Sequence, residues 1–211
     1  MTARGTVVAL LGAESTGKTV LAAALCNALA AEGRDAVVVA EYLREFCDRE
    51  QRTPRRDEQR DIAAEQTRRI EAAATNHELV IADTTALMIA VYSDQVFGDP
   101  SLYAEAEAAQ RRCTATLLTA LDLPWQADGH QRDGPQVRDP VDAKVRAALQ
   151  RAGVNYAVVS GAGAARLGAA RAALQRALNP PLVEPGAPRW HWVCERCGES
   201  DCERHRLLPP R

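Results

Sequence analysis

Short apolar runs alternate along this chain with longer stretches in which apolar residues return every three or four positions. The short runs, at residues 6–11, 35–40, 79–82, 114–120 and 156–160, are almost continuously apolar. A strand buried on both faces reads this way, and such strands belong to parallel sheets. The longer stretches predict helices over 20–31, 61–75, 84–97, 103–112, 141–152 and 161–178. In the second of these, Ile62, Ala63, Ile70 and Ala73 mark the buried face. Residues 48–60 are polar, and residues 123–140 are rich in Gly, Asp and Arg and read as a mobile loop. The strand–helix alternation predicts an α/β domain with a five-stranded parallel sheet and helices on both faces. Prolines after Asn179 end that domain, which spans 1–180. Residues 181–211 are a linker and a separate Cys/His-rich tail.

Composition narrows the class. A chain of 211 residues with 46% hydrophobic content supports one well-formed core. The net charge of -2 argues against a general nucleic-acid binder. No apolar run is long enough to span a membrane, and 1–5 lead straight into the first strand, so neither membrane nor export is expected. The reading is a cytoplasmic protein with no structural disulfides. Cys26, Cys47 and Cys113 are scattered and read as buried or inert. Self-association into a homo-oligomer stays open.

The strongest chemical signal follows the first strand. Gly12, Ala13, Glu14, Ser15, Thr16, Gly17, Lys18 and Thr19 fit the phosphate-loop pattern G-x-x-x-x-G-K-[ST], between a strand and a helix. Glycines let backbone N–H groups turn inward around phosphate oxygens, and the helix N-terminus adds positive potential. Lys18 can reach the β- and γ-phosphates of ATP, and the Thr19 hydroxyl can ligate Mg²⁺.

Other candidates lie where strands end. Asp83 closes an apolar strand, where a carboxylate can hold Mg²⁺ or cap the next helix. Glu41 follows the second strand; it is a candidate base for an acceptor hydroxyl or an ordinary helix-start acid. The 121–138 segment carries Arg132 and Arg138 and reads as a lid that brings an arginine to the transferring group. Trp125 in that segment can stack on a flat ring or pin the loop to the core. In the tail, Cys194, Cys197, Cys202 and His205 form a compact tetrahedral Zn²⁺ set, giving a zinc-knuckle-like module; the competing reading is free thiols.

Taken together, the phosphate loop, Glu41-Tyr42-x-Arg44-Glu45, Ile62-Ala63-x-x-Gln66, Ala82-Asp83-Thr84-Thr85 and Asp122-x-Pro124-Trp125-x-x-Asp128-Gly129-x-x-Arg132 resemble the ribosylnicotinamide kinase domain of NadR-type proteins. The resemblance covers about residues 5–178. It implies a P-loop, deoxynucleoside-kinase-like fold that moves the ATP γ-phosphate to the 5′-hydroxyl of nicotinamide riboside, giving nicotinamide mononucleotide for NAD salvage. By position it implies Lys18 and Thr19 for phosphate and Mg²⁺, Glu41 as base, Asp83 as metal support and Arg132 as lid arginine. It implies that Gln66 faces the acceptor, that Tyr42, Tyr92 and Trp125 flank the nicotinamide ring, and that Asp128 joins the substrate set. The tail is not part of the kinase pattern. A nucleotide-binding regulator or NTPase, and a kinase of another nucleoside, remain the alternatives.

Overall fold

The computed structural model describes residues 4–126 and 134–179. Five apolar runs become β1 (Thr6–Leu11), β2 (Ala36–Val39), β3 (Leu79–Asp83), β4 (Ala115–Thr119) and β5 (Ala157–Val159). All neighbours pair in parallel, in the order β2-β3-β1-β4-β5. β3 and β4 are buried throughout, which explains why they are mostly apolar, with Asp83, Thr116 and Thr119 the buried polar exceptions. The chain builds outward from β1 to β2, returns to β3, then crosses β1 to reach β4 and β5. β1 therefore ends at the switch point of the sheet, where open α/β sheets bind ligands.

Helices cover both faces. α1 (Lys18–Ala31) and α7 (Gly163–Leu178) pack on the face formed by Val8, Leu10, Leu79, Ile81, Ala115 and Leu117. α3 (Gln59–Asn76) places Ile70 and Ala74 against Val7, Val80 and Ala82, the alternate residues of the same strands. α2 (Tyr42–Glu50), α4 (Ala86–Phe97), α5 (Tyr103–Gln110) and α6 (Arg138–Ala152) join α3 in a second cluster that includes Leu11 and Leu118. That cluster meets the sheet at Leu11 and Leu118, near the carboxyl ends of β1 and β4. No described helix is long and apolar enough to cross a membrane.

Two polar segments differ from expectation. The 48–60 stretch begins inside α2, whose buried residues Leu43, Phe46 and Cys47 are followed by a solvated last turn. α6 starts at Arg138, three residues before the expected start, with Pro140 in its first turn. A proline there removes an N–H that has no intrahelical acceptor, so it starts the helix rather than breaking it. Of the cysteines, Cys47 is buried, while Cys26 and Cys113 are partly buried. Burial pushes the Cys113 thiol up to about 11. That keeps it protonated and inert at neutral pH.

Candidate active site

The 12–17 loop leaves β1 under tight steric limits. Gly12 has φ +147°, and a Cβ there would lie 2.1 Å from Thr119 Oγ1. Gly17, at φ +75°, caps α1 in the left-handed region. Thr16 is fully buried, and its hydroxyl donates to the Ala13 carbonyl at 2.8 Å. The Thr119 hydroxyl, at the end of β4, stands 2.7 Å from that of Thr16 and 3.1 Å from the Leu11 carbonyl. Lys18 is buried at 7% exposure, and its Nζ donates to the Ala13 carbonyl at 2.9 Å. Thr19 is exposed beside it at the helix start.

Register brings two carboxylates to the same end of the sheet. Leu10 of β1 pairs with Asp83 and Val39 of β2 pairs with Ala82, so Asp83 and Glu41 stand at adjacent strand ends beside the phosphate loop. Asp83 is 2% exposed, and its Oδ1 has no hydrogen-bond partner. A buried acceptor left unsatisfied costs about 1–3 kcal/mol, more when charged, and invites a cation. Together with the exposed Thr19 hydroxyl, this donor set fits Mg²⁺, which keeps several waters and takes one or two protein oxygens plus phosphates. Among the described residues no three His, Cys, Asp or Glu side chains cluster as a denser metal site. The next residue, Thr84, is buried with φ +73°, an outlier for a β-branched residue and a mark of stored strain at the cleft.

Glu41 is the N-cap residue of α2, and its side chain is 10% exposed. Its Oε2 accepts from Arg44 Nε at 2.9 Å. Gln66 is fully buried on α3, and its carboxamide is engaged by backbone. Oε1 accepts from the Tyr42 N–H at 2.7 Å, and Nε2 donates to the Ala40 carbonyl at 3.3 Å, with the Thr84 carbonyl at 3.5 Å. One amide thus ties the turns that carry Glu41 and Asp83. The Tyr42 ring is half-buried under the Arg69 guanidinium, 4.4 Å from its centroid. Tyr92, on α4, is half-buried against the same apolar cluster.

The segment after β4 rests on the phosphate loop. Ser15, at φ +54°, accepts from the Gln126 N–H at 2.8 Å and donates to the Gln126 carbonyl at 3.1 Å. Leu123 Cδ1 lies 3.1 Å from where a Cβ on Gly17 would be. Arg138 reaches this segment from α6, donating from Nη1 to the Leu123 carbonyl at 2.9 Å. It is 8% exposed, and its Nε and Nη2 have no partner. Trp125 is half-buried, and its Nε1 is buried without a partner. Asp128, Arg132, Cys194, Cys197, Cys202 and His205 lie outside the described residues.

A P-loop at the switch point, with carboxylates at the next two strand ends, is an architecture with known relatives. The family model described as AAA domain matches residues 7–166. The chain belongs to the AAA domain family. No curated protein matches it in sequence. Among solved structures, a NadR protein in complex with NR shares the fold at TM-score 0.67 and 17% identity, covering 88% of this chain and 53% of that one. A NadR protein in complex with NAD and AMP-PNP matches at TM-score 0.63 and 17% identity, covering 88% of this chain and 52% of that one. The chain spans about half the length of these NadR structures.

In this AAA-domain chain two buried arginines reach the loop and the segment after β4: Arg166, which the sequence reading did not single out, and Arg138, which it placed in the lid segment. Both occupy the buried stripe of a helix, where the 3.6-residue period calls for an apolar side chain. Gln66 does the same on α3. Polar residues on an otherwise apolar stripe are the signal that finds them.

Proposed function

We propose that this chain is an ATP-dependent kinase that phosphorylates the 5′-hydroxyl of a nucleoside, nicotinamide riboside. The observation that carries this is the pair of carboxylates, Asp83 at the end of β3 and Glu41 after β2, the two successive strands on one side of the phosphate-loop strand β1. A second carboxylate near the γ-phosphate can take the proton of an attacking oxygen, and an acceptor hydroxyl is one such nucleophile. The shared fold with NadR proteins crystallised with NR and with NAD and AMP-PNP supports a nucleoside acceptor.

The loop N–H groups and Lys18 hold the donor phosphates. Glu41 accepts the proton of the acceptor hydroxyl as its oxygen bonds to the γ-phosphorus. The bond from that phosphorus to the β–γ bridging oxygen breaks, and ADP leaves with its charge met by Lys18. Thr19 and Asp83 would hold Mg²⁺, which would supply charge neutralisation for the donor phosphates. Gln66 shapes the acceptor side by fixing the Glu41 and Asp83 turns. Tyr42, Tyr92 and Trp125 flank the base, with Asp128 assigned to the same substrate set. Arg132 and Arg138 serve the charge on the group in transit.

The test offers ATP, Mg²⁺ and a panel of nucleosides to the full chain, with mass detection of product. We expect a nicotinamide riboside 5′-phosphate formed in step with ADP. ATP turnover indifferent to every nucleoside would instead make the chain an NTPase or regulator. In the same assay Arg138→Ala is expected to lower kcat about 10²–10³-fold, the loss typical for removal of one preorganised donor. Its guanidinium is already seated at the covering segment, with two buried nitrogens that have no partner. A change of under a few-fold would assign the transition-state charge to Arg132 alone.

We assign Cys194, Cys197, Cys202 and His205 a structural Zn²⁺. Elemental analysis of protein purified without chelator should find one zinc per chain, with retention falling on acidification as the thiolates protonate. Metal-free protein at neutral pH would overturn the assignment.

A further inference from the structure

Arg166 is 4% exposed, and its guanidinium joins four stretches of chain. Nη2 donates to the Thr16 carbonyl of the phosphate loop at 2.8 Å and lies 3.4 Å from the Ala120 carbonyl after β4. Nη1 donates to Asp122 Oδ1 at 2.9 Å and to the Gly161 carbonyl after β5 at 2.7 Å. Asp122 Oδ2 in turn accepts from the Gly161 N–H. The Arg166 guanidinium holds the Asp122 carboxyl below the usual carboxylate range.

The bond to Thr16 has a directional consequence. In a trans peptide the C=O and the following N–H point in opposite directions. Holding the Thr16 carbonyl against Arg166 therefore aims the Gly17 N–H away from it. Gly17 is the cap of α1, so that N–H belongs to the donor set of the loop and helix start that receives phosphate. Were this peptide to turn over, a carbonyl oxygen would face the anion in place of a donor. Arg166 is not placed to touch phosphate itself; it acts through the Thr16–Gly17 peptide.

The other partners lie on the far side of β1 from Glu41 and Asp83, because β4 and β5 follow β1 in the sheet order. An in-line transfer places acceptor and leaving nucleotide on opposite sides of the phosphorus. With the acceptor on the β2–β3 side, as in the function proposed above, the donor nucleoside extends toward β4, β5 and the Gly161 turn. On that reading, we propose that Arg166 is a positioning residue that orients the phosphate loop and makes that orientation depend on the turn beside the donor nucleoside, to which it is tied directly at the Gly161 carbonyl and a second time through Asp122. The site then grips the phosphates of a nucleoside triphosphate more firmly than those of a bare polyphosphate.

The test compares binding of ATP and of inorganic tripolyphosphate, each with Mg²⁺, to the full chain and its variants by calorimetry. No acceptor is present, so failure of the proposed acceptor leaves the measurement intact. Arg166→Lys keeps the charge but lacks the planar fork that spans several acceptors. It should weaken both ligands about tenfold or more, and Arg166→Ala at least as much. Asp122→Asn leaves the guanidinium on Thr16 but loosens its tie to Gly161. It should weaken ATP about tenfold and tripolyphosphate far less, a coupling of the size usual between linked sites. Thermal unfolding of each variant separates misfolding from lost positioning. Wild-type affinity for both ligands in folded Arg166→Lys overturns the positioning role. Equal losses for ATP and tripolyphosphate in Asp122→Asn overturn the link to the nucleoside side.

Discussion

Lys18→Ala abolishes phosphoryl transfer in a chain that still folds: kcat/KM is expected to fall about 10³-fold or more, equivalent to about 4 kcal/mol of transition-state stabilisation. The side chain is 7% exposed but belongs to none of the apolar core clusters, and its ammonium sits on a loop carbonyl. In the transition state charge builds on the γ-phosphoryl oxygens and the bridging oxygen, and a fixed cation there has no substitute among the described residues of the loop. The structural loss is small. The Ala13 carbonyl that accepts from Lys18 also accepts from the Thr16 hydroxyl, so it is not orphaned by the change. Alanine is also the best helix former at the first position of α1. We expect a stability change of about 1 kcal/mol, within the range for one lost hydrogen bond. Steady-state kinetics paired with thermal unfolding measure both. Near-normal turnover in the folded variant would remove phosphoryl transfer by this loop from consideration.

Glu41→Gln is expected to lower kcat about 10²–10⁴-fold while leaving the affinity for ATP nearly unchanged. Glutamine keeps the size and shape of the side chain, and its amide oxygen can still accept from Arg44 Nε, so α2 should start where it does now. What it cannot do is take a proton. That function matters only while the acceptor oxygen is bonding to phosphorus, so the loss falls on kcat rather than on donor binding. Single-turnover kinetics at saturating ATP isolate the step. If turnover holds and the KM for the acceptor nucleoside rises, Glu41 orients the hydroxyl and another group accepts its proton. The place of Glu41 after β2, one strand from Asp83, makes the proton-accepting outcome the expected one.

How far the sequence foretold these features depends on the range of the interaction behind each. The strands were legible because each is a short, mostly apolar run; β3 and β4, buried at every position, break that run only with Asp83, Thr116 and Thr119. The phosphate loop was legible because its chemistry needs glycines and a lysine at fixed local spacing, and β1 and α1 supply the context within a few residues. α2 was less legible, since only Leu43, Phe46 and Cys47 are buried and its last turn is solvated. The start of α6 was hidden by Pro140, which reads as a breaker until its place in the first turn is known.

By itself, then, the sequence determined the α/β class, the parallel sheet, the phosphate loop and the two strand-end carboxylates, because each rests on local pattern. Only the tertiary structure decided what Gln66, Arg138 and Arg166 do. Arg166 meets the Thr16 carbonyl across 150 residues of chain, and Gln66 reaches Tyr42 across 24. Those meetings exist because β4 and β5 lie on one side of β1 while β3 and β2 lie on the other. A buried polar group must find its partner, but which strand end offers that partner is set by sheet order and register. Neither is written in the residues around it.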